Sequence, residues 1–317
     1  MLKNVIRIST VVLAILMVGS CVVGGYLCST ALLPEEHGND LEGDRLKIAE
    51  RYPGVLDWYD SLHTAGVFRD TTILGEGDYR LHAVFAPAPD SARGTAVVVH
   101  GYTDNHLCFL NLVRMYRDTF GYNVMVPDLH YHGLSEGRAV QMGWFDRLDV
   151  ERFAALANEL WHNDFMVLHG VSMGAATVMM TSGDSLPPYI RAFVEDCGYT
   201  SVWDQFAHIL RQSYHLPPFP LMNIASATAR RRYGWDFKEA SSVRQLAKGD
   251  RPMLFIHGDA DDYVPYSHLE RNYEAKTQGY KKKWVAKGSG HAMAYRDHPG
   301  EYEAVVGEFL SEVKAMQ

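Results

Sequence analysis

The stretch FMVLHGVSMGAATVMM, residues 165–180, decides how the rest of the chain is read. Phe165–His169 is an apolar run of strand length, and small helix-forming residues follow Gly170-Val171-Ser172-Met173-Gly174. A strand before and a helix after G-x-S-x-G is the context that separates a nucleophile elbow from a chance match. The spacing has a steric cause. A serine at the apex of a tight strand-to-helix turn is held in strained backbone geometry, so residues two before and two after it must lack side chains. The turn exposes the Ser172 hydroxyl above the sheet, and the helix that follows offers amide donors to a developing oxyanion. Ser172 is therefore the candidate nucleophile. The plainer alternative is an ordinary serine in a glycine-rich turn.

A serine nucleophile needs a base, an orienting carboxylate and oxyanion donors, in the chain order Ser, Asp or Glu, His once the elbow is given. After the apolar run Met253–His257 comes Gly258-Asp259-Ala260-Asp261-Asp262-Tyr263-Val264-Pro265. An acidic loop just past a buried strand is where open parallel sheets place functional groups, and it holds three candidate acids. After Lys283–Ala286 comes Lys287-Gly288-Ser289-Gly290-His291-Ala292, which makes His291 the candidate base. Upstream, His100-Gly101-Tyr102 follows the strand Thr95–His100. The Tyr102 amide is read as one oxyanion donor and the Met173 amide as the second, while His100 itself is read as structural. The loop Asp128-Leu129-His130-Tyr131-His132-Gly133 holds two histidines near an aspartate. A metal there is the lesser reading, because no matching Cys, His or carboxylate set accompanies it. No cofactor and no metal are expected.

The rest of the chain alternates. Phe68–Leu74 and Tyr79–Ala86 read as a hairpin around Gly75-Glu76-Gly77-Asp78. Strands are expected at Thr95–His100, Asn123–Pro127, Phe165–His169, Ile190–Glu195, Met253–His257 and Lys283–Ala286. Helices are expected at Leu107–Thr119, Gly143–Trp161, from Ala175, and at Glu301–Met316. Alternation at this spacing implies an α/β fold with a mostly parallel central sheet and helices on both faces. Residues from about 198 to 250 break the pattern: they carry no strand signal but hold Trp203, Phe206, Tyr214, Tyr233 and Trp235. An aromatic insertion of that length is read as a helical lid. Its Arg230-Arg231-Arg232 run is read as a solvated helix face, with an acidic substrate group as the alternative partner.

The chain has 317 residues, 47% hydrophobic and 21% charged, with a net charge of −8 that disfavours nucleic acid as a partner. Of its four cysteines, Cys21 and Cys28 fall in an N-terminal apolar run, and Cys108 and Cys197 make no disulfide or metal pattern. Lys3 and Arg7 precede an uncharged stretch from Ile8 to Leu33, long enough for a bilayer span of about 20 residues. Residues 1–33 are therefore expected to be a membrane anchor, with the catalytic part on the extracytoplasmic side (periplasm or cell surface). Lipidation at Cys21 and plain secretion are the alternatives, and a buried core helix is the plainer one, against which the charged prefix argues. Residues 34–66 are expected to be a linker and pre-helix, with Pro53-Gly54 breaking the helix, and 67–317 the main domain.

Five motifs together resemble the α/β-hydrolases of the serine aminopeptidase-like branch, a set of bacterial lipase-, esterase- and peptidase-like proteins, some membrane-anchored. They are V-V-V-H-G-Y-T-D-N at 97–105, P-D-L-H-Y-H-G-L-S-E-G at 127–137, G-V-S-M-G-A at 170–175, H-G-D-A-D-D-Y-V-P at 257–265 and G-S-G-H-A at 288–292. The resemblance covers roughly Thr72 to the C-terminus and implies an α/β-hydrolase fold with a Ser172-His291-Asp261 triad. Asp261 is singled out because the family's H-G-x-x-D-x-x-V-P pattern falls on it. His130-Tyr131 departs from the arginine and small residue usual at those positions, which bears on the pocket floor. The implied activity is hydrolysis of a small-molecule acyl substrate, a carboxylic ester first. A peptidase and a thioesterase or acyltransferase are the alternatives, and a catalytically silent ligand-binding scaffold is the alternative outside enzymes.

Overall fold

Thr95–Val99 is a run of small and β-branched residues without a charge, and such a run forms a strand only where both faces are covered. In a computed structural model of the chain all five positions are buried inside an eight-stranded sheet. The structure describes residues 2–316, apart from the side chains of 2–6, 8 and 11–16. The strands are β1 (Arg69–Leu74), β2 (Arg80–Ala86), β3 (Thr95–Val99), β4 (Asn123–Pro127), β5 (Met166–Val171), β6 (Ile190–Asp196), β7 (Met253–Gly258) and β8 (Lys281–Ala286). Their order across the sheet is β1-β2-β4-β3-β5-β6-β7-β8. β2 runs against both of its neighbours, and β4, β3, β5, β6, β7 and β8 are all parallel.

The order reverses at β3, which sends the chain to β4 on one side and receives β5 on the other. Loops leaving the carboxyl ends of strands diverge at such a point and open a crevice. The loops after β3, β5, β7 and β8 all meet there, so the topology itself decides where the site lies.

Helices cover the sheet in chain order: α1 (Leu2–Leu32), α2 (Leu41–Arg51), α3 (Val55–Thr64), α4 (Leu110–Arg114), α5 (Asp146–Trp161) and α6 (Met173–Thr181). They continue as α7 (Val202–Gln212), α8 (Leu221–Tyr233), α9 (Ser242–Leu246), α10 (Ser267–Ala275), α11 (Ala294–Asp297) and α12 (Pro299–Ala315). Alternate strand residues feed two apolar layers. Val97, Val99 and Leu168 join the helix layer of α5 and α6, while Ala96, Val98 and Val194 face Phe309 and Val313 of α12.

Most expected elements lie within a few residues of their places, and the departures have local causes. The helix expected from Gly143 begins at Asp146. Gly143 takes φ 82°, and its N–H donates to the Asp146 carboxylate at 2.7 Å, so three residues serve as a turn before the helix. α4 gives way to a wider π turn over Met115–Thr119. Pro53-Gly54 does separate α2 from α3, with Gly54 in the left-handed region. Between β6 and β7 the described residues hold α7, α8 and α9 and no strand.

The N-terminal expectation is overturned. No helix among the described residues is long and apolar enough to cross a membrane. The transmembrane and signal-anchor reading of 1–33 therefore falls, and with it the membrane partnership, the bacterial membrane-anchored type and the extracytoplasmic location drawn from it. The physical reason is that a stretch without charge is not the same as an apolar one. Gly19, Ser20, Gly24, Gly25, Ser29 and Thr30 dilute its second half. Only its last turns pack on the protein: Cys28 and Leu32 are fully buried while Met17, Val18, Val22 and Tyr26 stay exposed, and the Leu32 carbonyl accepts from Val140 N–H at 2.9 Å. Cys21, the residue that lipidation would need, is an exposed position inside the continuous α1 helix. The Lys3 side chain lies outside the described residues.

Candidate active site

The turn between β5 and α6 packs so tightly that side chains are excluded on either side of Ser172. A Cβ at Gly170 would fall on the Gly174 carbonyl, and one at Gly174 on the Val99 carbonyl of β3. Ser172 itself sits at φ 56°, a strained region for a residue with a Cβ. Its N–H donates to the Asp196 carbonyl at 2.8 Å, which ties the strained residue to the end of β6. Gly174→Ala is expected to destabilise the fold by about 1–3 kcal/mol or more, because backbone rather than a flexible side chain would have to move. Urea unfolding checks this, and an unchanged midpoint would contradict the steric account.

The loops after β7 and β8 bring the other two groups to Ser172. His291 Nε2 lies 2.8 Å from Ser172 Oγ, and His291 Nδ1 lies 2.7 Å from Asp261 Oδ2. Ser172 is 8% exposed and the Asp261 carboxylate is fully covered, while His291 keeps 21% of its side chain open. The other oxygen, Oδ1 of Asp261, accepts the N–H groups of Tyr263 at 3.0 Å and Val264 at 2.9 Å. Burial opposes the charge on Asp261, but the hydrogen bonds from His257 and His291 outweigh it and hold the carboxyl down at about 2.

Of the three neighbouring acids, Asp261 is the one that meets His291. Asp259 turns outward, pairing with Lys287 Nζ at 3.0 Å and accepting Gly288 N–H at 2.6 Å, so it pins the loop that carries His291. Asp262 is exposed, and its carbonyl accepts from His208 Nε2 at 2.9 Å. Gly101 runs against Ser172, close enough that a Cβ there would lie 3.5 Å from the serine Cβ. Tyr102 follows on the loop after β3, and Met173 opens α6, where the first N–H groups have no partner within the helix. His100 is held on both ring nitrogens, by the Gly101 carbonyl at 2.8 Å and the Leu129 N–H at 2.9 Å.

The histidines of the 127–137 loop do not converge on a ligand. His132 Nδ1 meets the His130 carbonyl, and His130 Nε2 accepts the Arg138 N–H. Asp128 instead draws in two residues that the sequence reading missed. His82 Nδ1 on β2 lies 2.8 Å from Oδ2, and His106 Nδ1 lies 3.0 Å from Oδ1. These three groups place one ligand atom each within 4.8 Å. The same carboxylate accepts N–H from His106 and Leu134, so its lone pairs are used in holding the loop. His257 is the other omission. Its Nε2 lies 3.3 Å from Asp261 Oδ2 and 2.9 Å from the Val264 carbonyl, a second imidazole behind the acid. It ends the very strand that was read as apolar.

Two further buried acids are shifted furthest upward among the carboxyls that tie stability to pH. Burial pushes Glu195 at the end of β6 and Asp146 at the start of α5 up to about 8. Each has one oxygen without a hydrogen-bond partner. Their folded values exceed the unfolded ones, so their contribution is full below about pH 4 and is lost as pH rises through about 8. Stability is expected to fall between pH 5 and pH 8.5, by on the order of 1–4 kcal/mol per group. Glu195→Gln and Asp146→Asn should each flatten that slope in urea titrations, and a slope unchanged by both would refute the assignment.

In front of Ser172 the crevice holds a cavity of about 240 Å³ reaching from Tyr102 and Met173 to Phe206, Leu210 and Phe237. Among the described residues no charged side chain lines it. The Arg230 guanidinium is engaged elsewhere, with Asp236 and Glu239, and Arg232 donates to Ser29.

A mostly parallel eight-stranded sheet with a serine on the turn after its fifth strand defines the α/β-hydrolase fold. The chain belongs to the alpha/beta hydrolase family, whose model matches residues 96–305. Among curated proteins it is 34% identical over 227 residues to the uncharacterized protein YqkD of Bacillus subtilis, across 71% of this chain and 74% of that one. Among solved structures it is similar to the Pyrococcus furiosus esterase Pf2001, with a TM-score of 0.64 at 20% identity over 79% of this chain and 95% of that one. The acylaminoacyl peptidase of Pyrococcus horikoshii aligns with a TM-score of 0.57 at 15% identity, over 80% of this chain and 43% of that one. At such identities the structural likenesses speak for the fold alone.

Proposed function

We propose that this protein is a serine hydrolase that cleaves uncharged carboxylic esters, with Ser172, His291 and Asp261 as its triad. The observation that carries the reading is the unbroken line of hydrogen bonds from Ser172 Oγ through His291 to Asp261, opening onto a pocket without charge. His291 Nε2 takes the Ser172 proton as Oγ bonds to the acyl carbon. Asp261, ionised at working pH, fixes the imidazole tautomer and balances the imidazolium. The Tyr102 and Met173 amides receive the oxyanion, a contribution of about 3–4 kcal/mol per donor in comparable sites. His291 then passes the proton to the departing alcohol, leaving an acyl-serine. Water, deprotonated by the same histidine, attacks this acyl-enzyme, and the collapse releases the acid and restores Ser172.

The segment from about 198 to 250 acts as a lid in this reading, since Phe206, Leu210 and Phe237 from it line the cavity. The pocket favours esterase over aminopeptidase action. A free ammonium buried there would meet no counter-charge, and burying an unpaired charge costs far more than an ester does. A fluorophosphonate probe should label Ser172, and p-nitrophenyl butyrate should be turned over at least tenfold faster than aminoacyl p-nitroanilides. Faster amide cleavage would support the peptidase alternative. A folded protein that does not label would be a silent scaffold.

A further inference from the structure

We propose that α1 is a wall of the substrate pocket, and that Leu27 and Ala31 on it set the length of the uncharged acyl chain accepted. The inference rests on the serine-hydrolase reading and adds the substrate class. Leu27, Thr30 and Ala31 border the cavity in front of Ser172, facing Met222 and Ala225 of α8. Leu27 and Ala31 are four residues apart and share one helix face. Gly24 stands one turn earlier on the side that meets α8. A Cβ there would lie 2.7 Å from the Ile224 side chain and 3.2 Å from the Leu221 carbonyl. The absence of a side chain at this position lets the two helices close over the pocket.

Hydrogen bonds fix the end of α1 to the site. The last carbonyls of a helix have no partner within it, and here the body supplies them. Ala31 C=O accepts from the Tyr102 hydroxyl at 3.0 Å, and Leu32 C=O accepts from Val140 N–H at 2.9 Å. Tyr102 is the residue whose amide is assigned to the oxyanion, so the wall and the reacting centre share a residue. Arg232 of α8 donates to Ser29 Oγ at 2.9 Å and locks α1 to that helix. Among the described residues the cavity itself is lined without a charged side chain, which suits an aliphatic chain. Each methylene buried there is worth roughly fourfold in kcat/KM.

The test compares p-nitrophenyl octanoate with p-nitrophenyl acetate in the full chain, its Ala31→Trp variant and its Leu27→Ala variant. Ala31→Trp should lower the octanoyl-to-acetyl ratio of kcat/KM at least tenfold, and Leu27→Ala should change it at least threefold. Folded variants that both keep the wild-type ratio would overturn the proposal. Should Ala31→Trp fail to fold, Leu27→Ala decides alone. Octyl and methyl acetate serve as the matching alcohol series. Sensitivity confined to that series would place the chain on the alcohol side and overturn the acyl assignment. Calorimetric binding of octanamide to Ser172→Ala, with and without Ala31→Trp, separates the two levels of the argument. A protein that fails to turn over esters, yet binds octanamide more weakly once Ala31→Trp is introduced, retains the wall and loses the hydrolase reading. Binding unaffected by Ala31→Trp removes the wall.

Discussion

Ser172→Ala is expected to lower ester turnover by about 10⁴–10⁶-fold while leaving the protein folded. The loss is large because the groups of a triad act as a unit. Without Oγ there is no acyl-serine, and the rest of the site contributes only binding and oxyanion stabilisation. The fold should hold because Oγ makes one polar contact, to His291, and the strained φ of 56° is imposed on alanine as it is on serine. A change below about 1 kcal/mol, or roughly 2–4 °C in Tm, is expected. Turnover of p-nitrophenyl butyrate and thermal melting read the two halves of this expectation. A well-folded variant keeping more than a few per cent of activity would remove Ser172 from the role.

What the sequence discloses of this molecule tracks how local each cause is. Gly170 and Gly174 answer to backbone atoms within a few residues or on the next strand, so their spacing around Ser172 is legible without a structure. The alternation of strands and helices is legible for the same reason, since periodicity is a property of a single segment. The charge-coupled groups are different. His82 and His106 reach Asp128 across 46 and 22 residues of chain, and nothing in their own neighbourhoods marks them. His257 hides at the end of an apolar run, where a buried histidine reads like any other strand residue. The N-terminus fails in the opposite way. There the absence of charge in Ile8–Leu33 passes for apolarity although Gly, Ser and Thr dilute it, and no single-segment pattern records that Cys28 and Leu32 are covered by the protein. Docking through Gly24 and the helix-end carbonyls is a tertiary fact, and it converts a segment read as separate into part of the pocket.

Asp261→Asn should cost about 10⁴-fold in kcat/KM, far more than the same change at Asp259 or Asp262. All three acids lie within four residues, so composition gives no ground for choosing, and geometry gives a clear one. Asp261 accepts two backbone N–H bonds on Oδ1, which orients Oδ2 toward His291 at 2.7 Å. An asparagine can keep those two backbone bonds only by presenting its NH₂ to His291 Nδ1. That donor demands a bare Nδ1 and so drives the proton to Nε2, the nitrogen that must accept from Ser172. The same substitution removes a carboxylate held at about 2, and thus ionised throughout the neutral range, as the balance for the imidazolium. Asp259→Asn weakens the tie from Asp259 to Lys287 and the Gly288 amide, which slackens the loop before His291 without changing its charge partner. A loss below about tenfold, felt in loop order more than in chemistry, is the outcome that follows from a positioning contact of this kind. Asp262 offers only its backbone carbonyl to His208, so Asp262→Asn should leave turnover within about twofold of wild type. Steady-state kinetics of the three variants on one activated ester settle the order, and an Asp259→Asn or Asp262→Asn protein more damaged than Asp261→Asn would move the acid to that residue.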